Sequence, residues 1–152
     1  MPAEEKHHLL KSEHEALRAT LKRAMREGGK TGELARELAA VADSHFLLEE
    51  KFALPLLALL PDLAVGESKA RVAAMVKIAA GLRAQLPQMR EEHRQMAQIL
   101  RELSRAAEAE GHADYVAFAE EMILHAHREE EVLYPAALVA GDYLRLLSIG
   151  AK

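Results

Sequence analysis

Apolar residues recur every three or four positions along most of the chain, the spacing that places them on one face of an α-helix. β-branched residues are few and never alternate over the length of a strand, so β-structure is not expected. The pattern predicts an all-α protein. The main helices are expected at about residues 3–26, 31–60, 87–109 and 113–139, with a shorter extra helix at about 67–82.

Glycine and proline set the expected helix boundaries. Gly28 and Gly111 lie where two helices should end, because glycine readily adopts the left-handed conformation that follows a helix. Thr31 is a candidate N-cap for the second helix. Pro55 should kink or shorten that helix, since proline has no N–H to donate. Pro87 either begins the third helix or kinks a longer one, and we favour the first alternative.

The C-terminal end should form a separate element. Gly141 is expected to break the fourth helix, which leaves residues 143–149 as a short apolar helix packed across one end of the protein. The extra helix at about 67–82 would connect the two halves of the chain. A length of 152 residues suits one domain, spanning residues 1–152.

Each of the four main helices carries one histidine inside its apolar stripe. In the second and fourth helices, Glu-Glu follows the histidine at +4 and +5 and proline follows at +10, at residues 45–55 and 125–135. These two motifs are 80 residues apart, and the histidines of the first and third helices are 79 residues apart. The repeat predicts two helix hairpins, which together make an up-down four-helix bundle. The four histidines are His14, His45, His93 and His125.

The repeat also predicts one polar layer across the bundle. Residues equally far from a hairpin turn lie at the same height, so the four histidines should meet there with Glu49 and Glu129. A single histidine of this kind is more often a hydrogen-bonded core residue, and a single His–Glu pair is more often only a pair. Two buried carboxylates, however, cost several kcal/mol each unless they are protonated or compensated. A metal supplies the charge that neutral imidazoles lack.

The number and type of these side chains indicate two metal ions. Cysteine is absent, so the ligands must be nitrogen and oxygen, and six ligands are too many for one tetrahedral zinc. Two carboxylates can bridge two ions about 3.5–4 Å apart, which leaves two histidines for each ion. An oxo or hydroxo bridge would complete five ligands for each ion. Imidazole with carboxylate suits iron, while manganese and zinc are alternatives.

The pattern resembles the hemerythrin-like HHE cation-binding domain over residues 14–135. The resemblance rests on one histidine in each of the first and third helices and on the His-x-x-x-Glu motifs of the second and fourth. It implies a four-helix bundle around a non-haem di-iron centre. It also implies that the terminal iron ligands are His14, His45, His93 and His125, and that the bridging ligands are Glu49 and Glu129.

One departure bears on the expected activity. Oxygen-carrying hemerythrins have a second histidine one turn from the third-helix ligand, where this chain has Met89 and Ala97 on the two sides of His93. The set of four histidines and two glutamates is closer to the domain of bacterial repair-of-iron-centres proteins and related stress-response members. The resemblance therefore implies reaction with dioxygen, hydrogen peroxide or nitric oxide rather than oxygen carriage.

Several polar side chains lie near the six candidate ligands in the sequence but are not expected to bind the metal themselves. Glu50 and Glu130 point about 140° away from the ligand stripe and should be exposed or bonded to a ligand. Tyr134 should lie opposite the stripe and is not expected to be a ligand. His127 with Glu131 should be a surface pair. The residues considered as partners for the ligand histidines are Glu13, Glu15, Arg18, Arg90 and Arg94.

Charge and hydropathy exclude several classes of protein. The net charge is −4 with both signs interspersed, which is unlike a nucleic-acid surface or a basic membrane face. The longest apolar run, at about residues 52–60, is interrupted by Pro55 and too short to span a bilayer. The N-terminal residues lack the apolar core of a signal peptide. A cytoplasmic protein is expected.

Three functions remain open on these grounds. The leading one is a di-iron protein that binds or reduces a small oxidant, either as a peroxide- or nitric-oxide-reactive enzyme or without turnover, in oxidative or nitrosative stress. The alternative is a non-enzymatic oxygen or redox sensor, or an iron-handling module, acting through a protein partner. The third is a metal-free helical bundle used for assembly.

Overall fold

The computed structural model describes residues 8–67 and 71–150. All regular elements in these ranges are helical and none is a strand, which confirms the all-α prediction. The predicted helix start near Ala3 lies outside the described residues. The helices are α1 (His8–Met25), α2 (Gly29–Phe52), α3 (Leu54–Leu57), α4 (Leu60–Ala64), α5 (Val72–Ala109), α6 (Ala113–Arg128) and α7 (Tyr134–Gly150), with a π-helical turn (Glu129–Leu133) between α6 and α7.

The long helices pack against one another as a helical bundle. Helix α2 lies against α1 and α5, and α6 lies against α5 and α1. Helix α7 packs on α5 and on the short helix α3. The longest element, α5, therefore contacts α2, α3, α6 and α7 and forms the centre of the assembly of helices.

Two apolar clusters fill the interior, and a polar layer separates them. Along α5, Met89 of the second cluster comes before His93, and Met96 of the first cluster follows it. Along α6 and α7 the first cluster precedes the polar residue His125 and the second follows it. The first cluster includes Leu21, Leu38, Leu100 and Phe118, and the second includes Leu56, Leu82, Met89 and Ala137.

The predicted break at Pro87 is wrong. Helix α5 continues through this residue, so the expected short helix at about 67–82 is instead the first part of α5 and begins at Val72. A proline inside a helix removes one backbone hydrogen bond and costs about 3 kcal/mol. The long contact of α5 with α2, α6 and α7 offsets that cost, and this contact is not visible in the local sequence. The connection between the two halves is formed by α3 and α4.

The predicted break at Gly141 is also wrong. Helix α7 runs from Tyr134 to Gly150, so residues 143–149 continue it rather than forming a separate helix. Gly141 is buried, and a Cβ atom placed there would overlap the Cβ of Ala79. Glycine at this position lets α7 approach α5 closely.

The prediction for Pro55 is confirmed in one of its two forms. Helix α2 is shortened and ends at Phe52. Pro55 lies in the first turn of α3, where the lack of an N–H breaks no hydrogen bond, because the N–H groups of a first turn have no intrahelical partner. Pro61 likewise lies in the first turn of α4. It therefore starts a short helix at the place where the second helix was expected to end.

The start of α2 differs from the prediction. Gly28, not Thr31, is the residue at the N-cap. The backbone N–H and the hydroxyl of Thr31 both donate to Oε1 of Glu110, at 2.8 and 2.9 Å. Gly29 has a φ of +69°, and a Cβ there would come within 2.7 Å of the same carboxylate. Glu110 thus ties the turn after α5 to the start of α2.

One described stretch, Ala113–Gly150, is long and apolar enough to cross a membrane, with a mean hydropathy of 1.3 in its best window. Core helices of soluble proteins meet the same criterion. This stretch packs against α5 and places His125, Glu129 and Tyr134 in the protein interior, and 28% of its most apolar window is buried.

We expect Glu110→Ala to lower the thermal unfolding temperature at neutral pH by several degrees. Hydrogen bonds from Thr31 lower the pKa of Glu110 below its usual value. Its contribution to stability is therefore present above the pKa of the unfolded state and is lost as pH falls through the folded pKa. The difference between wild type and variant, followed by circular dichroism, should shrink in acid. Glu108→Ala, at an exposed position two residues away, is the control, and equal effects of both changes would contradict the role of Glu110.

Candidate metal centre

The structure brings all six candidate ligands together in the polar layer. Five of these residues lie on long helices, and the sixth, Glu129, begins the π-helical turn. Their side chains are buried, and none of the six residues is more than 5% exposed. They are His14 on α1, His45 and Glu49 on α2, His93 on α5, His125 on α6 and Glu129.

The six side chains form two groups that share both carboxylates. One group contains His14 and His125 and the other contains His45 and His93, each with Glu49 and Glu129. Within each group, one ligand atom per residue lies within 4.8 Å of all the others. Two groups that share two carboxylates are the arrangement expected for a pair of ions bridged by those carboxylates.

The Nε2 atoms of the histidines face the two carboxylates. The Nε2 atom of His14 lies 3.0 Å from Oε2 of Glu49. The Nε2 atoms of His93 and His125 each lie 3.4 Å from Oε1 of Glu129. His45 contacts Glu49 through its Nε2 atom as well. The nitrogen that would bind a metal is therefore the same one in all four histidines.

The Nδ1 atoms of three histidines face a second set of carboxylates. An Nδ1–H that donates to a carboxylate fixes the tautomer and leaves the Nε2 lone pair for a metal. The Nδ1–Oε1 distances are 2.8 Å for His125 and Glu13, 2.9 Å for His93 and Glu130, and 3.1 Å for His45 and Glu92.

The fourth histidine has a longer contact of the same kind. Nδ1 of His14 lies 4.0 Å from Oε1 of Glu50 and has no hydrogen-bond partner. Glu50 instead accepts a hydrogen bond of 2.7 Å from Arg18. Glu50 therefore completes a set of four outer carboxylates, although its contact with the imidazole is not a direct bond.

These contacts decide several of the sequence interpretations. Glu13 is a direct partner of a histidine, and Arg18 acts only through Glu50. Arg94 pairs with Glu91. Glu92 was not considered from the sequence, yet it occupies the position before His93 that Glu13 occupies before His14, and this repeat was the signal for it. The exposed residues among those considered are Glu15, Arg90, Arg94, His127 and Glu131.

The electrostatics of the layer fit a cation. Burial opposes protonation of His14, yet hydrogen bonds with Glu129 and Glu49 raise its pKa to about 9. Burial likewise opposes protonation of His45 and His125, and their carboxylate neighbours raise both pKa values. An imidazolium can therefore balance the carboxylates when no metal is bound, so a metal is not the sole source of the compensating charge.

The donor atoms also fit a metal. The Nε2 atom of His125 is buried and has no hydrogen-bond partner. Burial opposes ionisation of Glu129, but hydrogen bonds with Glu49 and the surrounding histidines hold its pKa well below its usual value. Buried imidazole nitrogens around ionised carboxylates are a suitable donor set for iron, manganese or zinc. Metal binding would displace the imidazolium protons.

Tyr134 was wrongly expected to lie opposite the ligand stripe. It is 1% exposed, and its hydroxyl donates to Oε1 of Glu49 at 3.0 Å. The same oxygen lies 3.4 Å from Nε2 of His93 and 3.5 Å from Nε2 of His45. The phenol therefore lies beside the His45 and His93 group. Burial and the two nearby carboxylates raise its pKa.

The π-helical turn explains the position of Tyr134. In an α-helix, a residue five positions after Glu129 would point about 140° away from it. Here the N–H of Tyr134 bonds to the carbonyl of Glu129, so the turn contains one extra residue and residue i+5 lies above residue i. In the other half of the repeat the N–H of Ala53 bonds to the carbonyl of Glu49 and α2 ends. The same His-to-Pro motif thus gives two backbones, and the sequence does not distinguish them.

The helical bundle surrounds two shared glutamates with two pairs of histidines. The protein is therefore a candidate metal-binding protein whose ligands are histidine and glutamate. A family model for the hemerythrin HHE cation-binding domain matches residues 5–137. The chain belongs to this family, which confirms the resemblance inferred from its motifs. Neither a curated protein nor a solved structure gives a significant match.

We expect Glu129→Ala to lose both bound ions, because both groups use this carboxylate. His14→Ala should lose about one of two ions, since the His45 and His93 group does not contain it. The measurement is metal content by mass spectrometry after anaerobic loading with ferrous iron and desalting. His127→Ala, at an exposed position, should keep the wild-type content. A wild-type metal content in Glu129→Ala would contradict the shared use of this carboxylate by both groups.

We expect Tyr134→Phe to destabilise the chelator-treated protein by about 2 kcal/mol, because the Glu49 carboxylate loses the hydrogen bond that the Tyr134 hydroxyl donates. Urea unfolding followed by circular dichroism measures this change. Tyr143→Phe, at a position 41% exposed, is the matched control and should change stability by less than about 0.5 kcal/mol. A stability loss no larger than that of the control would show that the hydroxyl contact is unimportant.

Proposed function

We propose that this protein is a non-haem di-iron protein that binds or reduces a small oxidant in the oxidative or nitrosative stress response. The candidate oxidants are dioxygen, hydrogen peroxide and nitric oxide. The observation that carries the proposal is the sharing of Glu49 and Glu129 by two buried histidine groups. Two iron ions in these groups would supply one-electron redox steps next to each other, with an oxo or hydroxo bridge completing their coordination.

The residues around the centre favour reactivity over oxygen carriage. Six protein ligands for two ions leave positions open for a small molecule. The two positions beside His93 that lie one turn away hold Met89 and Ala97, and neither is a good iron ligand. Met89 is fully buried in the second apolar cluster, and Ala97 lines a cavity next to the centre.

The chain's own side chains would orient the ligands and limit water. Glu13, Glu92 and Glu130 hold three imidazoles by their Nδ1 atoms, so the Nε2 atoms cannot rotate away from the centre. The apolar clusters above and below the layer exclude bulk water. Tyr134 supplies one hydroxyl donor at Glu49, within reach of a molecule bound at the His45 and His93 group.

The bundle arrangement and the location of the protein belong to the same proposal. We infer that α1, α2, α5 and α6 run alternately up and down in a single domain. The opposite order of the two apolar clusters along α5 and along α6 with α7 supports this arrangement. A cytoplasmic location is proposed from the sequence.

We expect the anaerobic, iron-loaded protein to consume hydrogen peroxide faster than the same concentration of free ferrous iron. Stopped-flow absorption for the iron and an electrode for dissolved peroxide and oxygen measure the reaction. Glu129→Ala should reduce the rate per chain at least tenfold through loss of the ions. Glu131→Ala, at an exposed position outside the cavity lining, should keep the wild-type rate. No reaction above free iron with peroxide, dioxygen or nitric oxide would contradict the proposed function.

A further inference from the structure

A cavity of about 490 Å³ opens between α5 and α6 and reaches the candidate metal centre. Its inner end is formed by His45, His93, His125 and Glu129. The cavity therefore contacts both histidine groups. Tyr134 does not line it, so the phenol and the cavity lie at different parts of the centre.

Most of the wall surface of the cavity is apolar. Phe46 from α2, Met96 and Leu100 from α5, and Met122 and Ile123 from α6 line it. Four of these five residues are buried core residues, and Ile123 is partly buried. Thioether and branched side chains of this kind adapt to apolar molecules of different shapes.

Two alanines keep the cavity open. Through the repeat, Ala97 corresponds to Arg18 and Ala126 corresponds to Phe46, because the offsets are 79 and 80 residues. In the other hairpin the guanidinium carbon of Arg18 lies 5.0 Å from the ring centroid of Phe46, and these two large side chains fill the space between α1 and α2. At the matching place, Ala97 and Ala126 line the cavity instead.

The cavity is much larger than a diatomic molecule. One water molecule takes up about 30 Å³ in the liquid, and hydrogen peroxide, dioxygen and nitric oxide have only two heavy atoms each. Pockets that bind small organic molecules are about 300–1,000 Å³, with apolar walls and a few polar groups at one place. The present cavity has this size and a mostly apolar surface, with polar groups at the candidate metal centre and elsewhere on the lining.

The charged side chains of the lining do not select an ion of one sign. Arg94, Arg101 and Glu130 all lie on the lining, and Arg94 is paired with Glu91. Charges of both signs on the lining favour a neutral molecule.

We propose that this cavity binds the organic part of a neutral alkyl or aryl hydroperoxide, with its peroxide group at the candidate metal centre. The inference rests on the proposed function and assigns its substrate class. The O–O bond breaks, one oxygen leaves as the alcohol and the other as water. Two protons are taken up from solvent, and a pair of ferrous ions held by the four histidines with Glu49 and Glu129 would supply the two electrons. An external one-electron reductant, such as dithionite, restores the ferrous state.

The first test measures binding without any reaction. Chelator-treated protein with ¹³C-labelled methionine methyl groups is titrated with 2-phenylpropan-2-ol, the alcohol formed from cumene hydroperoxide. The methyl signals of Met96 and Met122 should shift and saturate, while those of Met25 and Met75, which do not line the cavity, should stay. Absence of a saturable shift, or equal shifts at all methionines, would overturn the proposal.

Filling the cavity should abolish this binding. Ala126→Phe introduces the residue found at the matching position of the other hairpin, and Ala97→Leu is a smaller change for use if the first variant does not fold. Either should weaken binding of the alcohol at least tenfold. Ala117→Phe, at an exposed position of the same helix α6, is the matched control and should bind as wild type. Unchanged binding in the filled variants would overturn the proposal.

The second test separates the substrate class from the di-iron function. In iron-loaded protein with wild-type metal content, Ala97→Leu should lower kcat/KM for cumene hydroperoxide at least tenfold more than it lowers kcat/KM for hydrogen peroxide. Equal losses for the two peroxides would overturn the substrate assignment. Consumption of hydrogen peroxide without any consumption of cumene hydroperoxide would sink the substrate assignment and leave the proposed function standing. Inertness toward both peroxides, dioxygen and nitric oxide would reject the proposed function itself.

Discussion

Two neighbouring carboxylates in the protein interior, those of Glu49 and Glu129, are the constraint on which the other features of the structure depend. Each is at most 3% exposed, and two such charges cannot stay ionised in an apolar core without compensation. Four histidines surround them, and the raised pKa of His14 shows how strongly the carboxylates attract a cation. Either a proton or a metal ion can supply the compensating positive charge. Both histidine groups include both carboxylates, so the layer offers two groups of side chains that could each hold a cation.

The outer carboxylates show how a helix uses adjacent residues for two tasks. Glu92 precedes His93, and the two side chains point about 100° apart around the helix axis. His93 enters the layer, while Glu92 reaches Nδ1 of His45 on the neighbouring helix. Glu13 does the same for His125 on the opposite side of the repeat. Each histidine that is held in this way is fixed by a helix other than its own, so the packing of the helices and the geometry of the centre depend on each other.

Sequence periodicity was sufficient for the all-α class and for the clustering of the six side chains, because both depend on spacing along one chain and on the repeat. It failed where tertiary contacts outweigh local preference. Pro87 stays inside a helix because α5 is packed along much of its length, and Gly141 serves a close approach to Ala79 rather than a helix end. Tyr134 was misplaced because one backbone hydrogen bond shifts by a residue, and the side-chain pattern carries no information on that shift.

The two halves of the repeat carry matching candidate ligands, but the residues next to those ligands differ. Tyr134 lies beside the His45 and His93 group, while the matching residue of the first half is Leu54, a member of the second apolar cluster. Phe46 packs on His14 with a ring-centroid distance of 4.7 Å, and its counterpart is an alanine. Two ions held by similar ligands would therefore have different neighbours, one with a hydroxyl donor and the other with an aromatic ring. The two groups thus combine matching candidate ligands with different surroundings, because the backbone after the ligands differs between the two halves of the repeat.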